Sequence, residues 1–190
     1  MKLVTYRADI ESAARLGVLQ DDLVVDVVRL AQSQGQTGPE SMLALIDQGA
    51  AGLAAIRRQL AQAAGTLAPG VATSVCNVTL LAPIPRPRKN IFGIGLNYVE
   101  HVAESAQALD TAKDLPKQPV IFSKPPTTVI GPGVPIEHNS AITRQLDWEV
   151  ELAVIIGTTA RRVTKADALR HVFGYSVMID VSARDNRRAG

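Results

Sequence analysis

Polar and apolar residues alternate most strictly along residues 147–156. Because a β-strand sends successive side chains to opposite faces, this alternation predicts a strand with one acidic and one apolar face. The acids are Asp147, Glu149 and Glu151, and the apolar residues are Trp148, Val150, Leu152 and Val154. Carboxylates crowded on one face repel one another unless they share a cation or point into solvent from an edge strand. The alternation by itself fits both interpretations.

The rest of the hydrophobic pattern predicts short strands and a few helices. Helical spacing of apolar residues runs over residues 41–64 and is interrupted at Gly49. Residues 164–167 have the form of a helix N-cap, which predicts a helix to about residue 172 that Gly174 ends. Strands are predicted at residues 3–6, 16–19, 23–28, 78–81, 90–96, 119–123 and 175–181, and a short helix at residues 97–108.

A proline-rich segment at residues 83–87 suggests where the chain divides. Prolines stand at every second position there, which favours an extended linker. We therefore predict a small N-terminal α+β domain at residues 1–80 and a second domain at residues 81–190. The predicted fold class is α+β with β-structure predominating.

Composition and charge exclude several classes of protein. The formal net charge is only +2, so we predict no nucleic-acid partner. The apolar runs are too short to span a bilayer, and the N-terminal residues lack the apolar h-region of a secretory leader, so we predict no membrane partner and a cytoplasmic location. The single cysteine, Cys76, rules out an intramolecular disulfide and is expected to be a buried structural thiol.

Asp180 adds a third carboxylate to the acidic strand. It lies on a predicted strand one helix further along the chain, where it could join Glu149 and Glu151. Hard cations such as Mg²⁺, Mn²⁺ or Ca²⁺ take oxygen ligands of this kind, whereas zinc would usually bring His or Cys. The alternative is that Asp180 forms a salt bridge near Arg184.

A second group of polar residues follows the strand predicted at residues 90–96. In a helix, Asn97, His101 and Glu104 would share one face, and Glu104 would favour a His101 that accepts a proton from water. The alternative is an ordinary exposed polar pair. Lys124, held by the prolines that come after it, could meet a substrate carboxylate or be a plain surface lysine.

Four motifs in this order strongly resemble the fumarylacetoacetate hydrolase family. They are Ile94-Gly95-Leu96-Asn97-Tyr98 with His101 and Glu104, then Phe122-Ser123-Lys124-Pro125, then residues 147–152, then residues 174–185 with Asp180-Val181-Ser182-Ala183-Arg184-Asp185. The resemblance is close over residues 81–185. The N-terminal segment is more loosely similar to the small domain of many bacterial members.

The resemblance implies a mixed β-sandwich roll, usually homodimeric, that binds a divalent metal, usually Mg²⁺ or Mn²⁺ with Ca²⁺ as a further option. It implies that Glu149, Glu151 and Asp180 hold the metal, that His101 and Glu104 activate water, and that Asn97, Tyr98 and Lys124 bind substrate. The implied reaction is hydrolysis of a C–C bond in an acylpyruvate or other 2,4-dioxo acid, through an enolate that the metal stabilises. Isomerisation, hydration or decarboxylation of 2-oxo diacids from aromatic degradation stays open as an alternative.

The sequence departs from the family at its end. Members normally continue well beyond the Ser-Ala-Arg-Asp motif, whereas this chain stops at Gly190, and Ile179 stands where an Asn usually precedes the metal Asp. A roll without its closing strands would expose edges and apolar faces. The competing expectation is therefore a truncated, non-catalytic fragment or a metal-binding dimerisation module.

Overall fold

The computed structural model describes residues 1–63, 65–98 and 117–185. The strands are β1 (Lys2–Arg7), β2 (Arg15–Gln20), β3 (Leu23–Asp26), β4 (Ala72–Ser74), β5 (Thr79–Leu81), β6 (Ile91–Gly95), β7 (Val120–Lys124), β8 (Leu146–Ile156) and β9 (Val172–Ala183). The helices are α1 (Val27–Ser33) and α2 (Met42–Gln62), with 3₁₀ turns at Val75–Asn77, Pro126–Thr128 and Ala168–His171. The expected α+β class with β-structure predominating is confirmed.

The chain forms two compact units. The first combines residues 1–84 with residues 131–190, and the second comprises residues 85–130. The linker predicted at residues 83–87 coincides with the passage from the first unit to the second. The division into domains at residues 1–80 and 81–190 stays a prediction.

An antiparallel sheet and two helices build the core of the first unit. The strand order is β4-β3-β2-β1-β5, and every neighbouring pair is antiparallel. Apolar side chains of α1 and α2 pack with those of the sheet, and the largest fully buried ones include Leu16, Val25, Leu30, Leu45 and Ile56. Burying such side chains stabilises the fold by roughly 1.5–3 kcal/mol each.

Asp26 joins the sheet to α1. It is 2% exposed, and its carboxylate accepts hydrogen bonds from the Tyr6 hydroxyl at 2.6 Å, from the Arg29 amide at 2.8 Å and from Arg15 Nε. The Arg29 bond caps the N-terminus of α1. The strand predicted at residues 23–28 was therefore too long, because the cap at Asp26 turns Val27 and Val28 into a helix.

The environment of this carboxylate shifts two pKa values. Burial, followed by the hydrogen bond to Asp26, raises the pKa of the Tyr6 hydroxyl to about 12. Burial alone would raise the pKa of Asp26, but hydrogen bonds from Arg15, Tyr6 and the Arg29 amide outweigh it and hold this pKa below its ordinary value. The folded state therefore favours a protonated Tyr6 beside an ionised Asp26.

We expect the first unit to lose stability as the pH rises from about 10 to about 12. In this window Tyr6 is deprotonated in the unfolded state but keeps its proton in the folded state, so the unfolded state binds fewer protons. Urea unfolding across this range should show the decline flattened in Tyr6→Phe. Tyr175→Phe, which removes a hydroxyl from a residue that is 58% exposed, should leave it unchanged. The same decline in both variants would contradict the assignment.

The helix predictions were right in one place and wrong in another. The predicted interruption of residues 41–64 is confirmed, since α2 kinks at Gly49, whose φ is 55°. The predicted helix from residue 164 to about 172 was wrong: Thr164 and Asp167 bond each other as a cap would, but only a 3₁₀ turn comes after them. From Val172 onwards the chain pairs with β8 as a strand, so the helix cannot continue. Cys76, expected to be buried, is exposed.

The second unit is built on one antiparallel pair, β6 with β7. The ring of Phe122 lies over Gly93, where an added Cβ would come within 2.2 Å of it, so any larger residue in the middle of β6 would force this ring to move. Within the described ranges, no helix is both long and apolar enough to cross a membrane.

Candidate functional site

The acidic strand predicted at residues 147–156 is β8, and it pairs antiparallel with β9 along its whole length. β-branched and aromatic residues make up 5 of the 11 residues of β8 and 6 of the 12 of β9, which favours extended pairing. The register sets Glu149 directly opposite Asp180 and Glu151 opposite Met178. A register shift between Ile155 and Ile156 marks a bulge at the far end of this two-stranded ribbon.

In a solvated outer strand the polar face is exposed and the apolar face is buried. The ribbon shows the reverse arrangement. Trp148, Val150 and Leu152 on the apolar face are 66%, 60% and 59% exposed. The acidic face is the more enclosed one, since the Glu149 side chain is 19% exposed and Asp180 is 5% exposed. The interpretation of the acids as a solvated outer face is therefore wrong.

The structure brings the three predicted carboxylates onto one face. Residues directly opposite in an antiparallel pair have Cβ atoms about 4.5–5.5 Å apart, and this applies to Glu149 and Asp180. Glu151 lies on the same face, two residues along β8, and is partly buried. Burial of an ionised acid such as Asp180 is costly, and a positive charge nearby lowers that cost.

Arg184 supplies positive charge here. Its Nε donates to Asp147 Oδ2 at 2.8 Å, and its terminal nitrogen forms an ion pair with Glu149 Oε1. Burial alone would lower the pKa of the Arg184 guanidinium. The hydrogen bond to Asp147 and the charge of Glu149 outweigh burial, so this pKa lies above its ordinary value. The sequence indicated Arg184 as a neighbour of Asp180, whereas these two bonds go to Asp147 and Glu149.

Asp185 fixes the chain that carries Arg184, and no distinct signal in the sequence pointed to this role. Its carboxylate accepts hydrogen bonds from the Thr143 hydroxyl and from the Arg144 amide, the latter at 2.9 Å. The Arg184 amide also donates to the Gln145 carbonyl at 3.0 Å. These bonds tie the end of β9 to the segment before β8, and they hold the Arg184 guanidinium against the acidic face.

The donor set fits a hard divalent cation by its chemistry. Glu149, Glu151 and Asp180 offer only carboxylate oxygens, which Mg²⁺ and Mn²⁺ prefer, and no His or Cys of the ribbon competes. Among residues 1–63, 65–98 and 117–185, no three His, Cys, Asp or Glu side chains converge closely enough to hold a metal ion. In this conformation Glu149 is engaged by Arg184 instead.

The other predicted site residues belong to the second unit or lie outside the described part. Lys124 is the last residue of β7, and Pro125 and a 3₁₀ turn come after it. Asn97 and Tyr98 come after β6 and Leu96, whose φ of 53° turns the chain, and Tyr98 is 49% exposed. His101 and Glu104 lie outside the described residues, so their pairing stays a prediction from sequence.

Known proteins resemble this chain in sequence and in fold. Oxaloacetate tautomerase YisK of Bacillus subtilis (strain 168) is 37% identical over 173 residues, covering 88% of this chain and 56% of that protein. The chain thus spans about half the length of this relative.

Solved structures share the fold. Maleylpyruvate hydrolase from Sphingobium sp. SYK-6, in complex with manganese(II) ion and pyruvate, superimposes with a TM-score of 0.69 at 28% identity, covering 97% of this chain and 60% of that one. The 5-carboxymethyl-2-hydroxymuconate delta-isomerase from Mycobacterium smegmatis gives a TM-score of 0.64 at 26% identity, covering 100% of this chain and 58% of that one.

A family model described as fumarylacetoacetate (FAA) hydrolase C-terminal matches residues 90–189, which include β6 to β9 and the whole acidic face. The motifs that carry the resemblance in sequence therefore lie inside the matched segment, and the fold agrees with solved members. This chain belongs to the fumarylacetoacetate hydrolase family.

Proposed function

We propose that this chain carries the metal-binding part of an enzyme site for a small 2-oxo acid, with Mg²⁺ or Mn²⁺ held by Glu149, Glu151 and Asp180. The observation that supports it is the enclosed acidic face of β8 and β9. An acid that is 5% exposed, directly opposite a second acid and beside a third, has the oxygen-only donor set of a hard-cation site.

A bound cation would act as a Lewis acid toward the carboxylate and keto oxygens of a 2-oxo acid. The protein's own contribution is to hold three carboxylates on one rigid strand pair. Asp180 is the most enclosed of them, while Glu149 must leave Arg184 to become a ligand. Arg184 then stays available to Asp147 on the same face.

The residues proposed for chemistry on the substrate are those that the family resemblance implies. His101, oriented by Glu104, would take a proton from water, and that water would attack the 4-oxo carbonyl of an acylpyruvate. Asn97, Tyr98 and Lys124 would bind the substrate, Lys124 through a carboxylate. This assignment gives hydrolysis of a C–C bond, with a homodimer as the proposed assembly.

The second candidate is tautomerisation or isomerisation of a 2-oxo diacid at the same site. It is favoured by the names of two similar proteins, an oxaloacetate tautomerase and a delta-isomerase. The maleylpyruvate hydrolase supports the first candidate, and its bound manganese and pyruvate support a divalent metal with a 2-oxo acid. Both candidates need the same three carboxylates and differ in whether water attacks the substrate.

Mn²⁺ binding to the 190-residue chain, measured by calorimetry with and without oxalate, tests the proposal. Oxalate imitates a planar 2-oxo acid, so we expect it to tighten Mn²⁺ binding. Glu149→Ala should weaken Mn²⁺ binding by about 100-fold or more, since changes merely next to a metal ligand already cost about 10–100-fold. Glu137→Ala, at an exposed acid outside the ribbon, is the matched control and should bind normally.

Two outcomes would contradict this proposal. Equal Mn²⁺ affinity in the parent chain and in Glu149→Ala would remove Glu149 from the site. An absence of Mn²⁺ binding in the parent chain, with or without oxalate, would favour the non-catalytic fragment.

A further inference from the structure

An open cavity of about 380 Å³ lies at the surface of the first unit, remote from the acidic face. It is bounded by the start of β1, by α2, by residues 83–84 and by the end of the ribbon that carries Ile155 and Phe173. Ile155 is six residues along β8 from Glu149, which corresponds to about 20 Å of strand. The cavity is therefore separate from the proposed metal site, and a ligand bound in it would be independent of the proposed function.

Most of the cavity wall is apolar. Ile46 and Leu53 of α2 face it from one side, and Ile155 and Phe173 of the ribbon from the other. Its volume lies within the range of small-molecule sites, about 300–1,000 Å³, which are also lined mainly by apolar groups. This wall would therefore bind the apolar part of a ligand.

Two cationic side chains stand in the same wall. Lys2 and Arg57 line the cavity, and none of its lining residues is Asp or Glu. Within the described ranges, neither Lys2 nor Arg57 forms an ion pair with a neighbouring acid. A site with this charge selects a ligand that ends in an anion.

Gly174 keeps the cavity open. It lies in β9 and lines the cavity, and a Cβ added there would meet nothing within 4 Å. Its φ is not positive, so the backbone itself does not require a glycine. A glycine inside a strand weakens the strand and marks a bulge or a close approach by a ligand or another backbone; Gly174 pairs with Ile155 beside the bulge and also borders the cavity.

We propose that this cavity binds a small organic monocarboxylate, with its apolar body against α2 and the ribbon and its carboxylate at Arg57 and Lys2. The apolar wall, the two cationic side chains and the open space at Gly174 each supply one part of this assignment. Because the cavity involves both α2 and β8, occupation would tie the N-terminal sheet and helices to the ribbon.

Octanoate is the probe, titrated into the 190-residue chain by calorimetry. Octan-1-ol keeps the apolar body without the charge, and octylamine carries the opposite charge, so both are expected to bind at least about tenfold more weakly. Binding of octan-1-ol or octylamine as tight as that of octanoate, or no binding of octanoate, would overturn the proposal.

Two variants locate the binding. Arg57→Gln should weaken octanoate binding about tenfold, whereas Arg58→Gln, at the exposed neighbour that does not line the cavity, should not change it. Gly174→Leu should fill the cavity and abolish binding, with circular dichroism checking that the variant is folded. If octanoate instead binds the exposed apolar face of the ribbon, Arg57→Gln will not change its affinity. An unchanged affinity would also overturn the proposal.

Discussion

Replacing Asp26 by alanine is expected to lower the free energy of unfolding of the first unit by about 3 kcal/mol. The change removes the acceptor of three hydrogen bonds at once and leaves the Tyr6 hydroxyl, Arg15 and the first turn of α1 without it. Removing one partner of a buried pair costs about 3–5 kcal/mol, and the low end applies because the Arg15 side chain is 35% exposed. Loss of the helix cap is part of the same cost.

Urea unfolding at neutral pH measures this loss, with Asp167→Ala as the control. Asp167 also pairs with an arginine, but its side chain is 44% exposed, so its removal should cost less than about 1 kcal/mol. The free energy of unfolding at acidic pH gives a second check. Because the pKa of Asp26 is lowered in the folded state, its contribution is complete above the unfolded pKa and disappears as the pH falls through the folded pKa. Asp26→Ala should therefore be less sensitive to acid than the parent chain.

His101→Ala is expected to reduce turnover of a 2,4-dioxo acid by about 10²–10⁴-fold while Mn²⁺ binding stays normal. The reason is that a general base moves a proton during the reaction but is not among the proposed metal ligands. Pyruvate release in the presence of Mn²⁺ gives kcat and KM, and calorimetry on the same sample gives the metal affinity. His171→Gln, at a histidine whose ring bonds the Thr158 hydroxyl, is the control.

The result separates the two candidate reactions. Normal hydrolysis by His101→Ala would remove His101 from its assigned role. If instead the parent chain interconverts keto and enol forms of oxaloacetate but releases no pyruvate from a 2,4-dioxo acid, the tautomerase candidate is correct. Loss of Mn²⁺ binding together with activity would mean that His101 acts on the metal site and not on water.

The period-two pattern predicted the ribbon well because strand faces are set directly by residue order. Residues 147–156 and 175–181 became β8 and most of β9, and the register placed Asp180 opposite Glu149 as a shared site requires. The kink at Gly49 was also visible in the sequence, because glycine is the residue that a φ of 55° favours.

Local signals failed where a contact between distant residues decided the outcome. The cap at residues 164–167 is present, yet pairing of Val172 with Ile156 outcompetes a helix. Asp26 ends β3 because it receives bonds from residues in two other strands, Tyr6 and Arg15. The direction of Arg184 depends on Asp185 bonding Thr143, which is 42 residues away in sequence.

Alternation could not tell which face of β8 is enclosed. An apolar face is ordinarily expected to be buried, yet here Trp148 and its neighbours are the exposed ones. The number and spacing of the acids were therefore the better signal for a metal site, because three carboxylates on one half-buried strand face with a fourth opposite are unusual.

The bond between Arg184 and Glu149 changes what a metal titration of this chain measures. A ligand that is held by a guanidinium is not competent to bind a metal, so only the fraction of molecules with Glu149 released can do so. The apparent dissociation constant is the intrinsic one divided by that fraction. At the proposed site, binding is thus an exchange of one cation for another, and a weak measured affinity is compatible with strong coordination once the guanidinium has moved away.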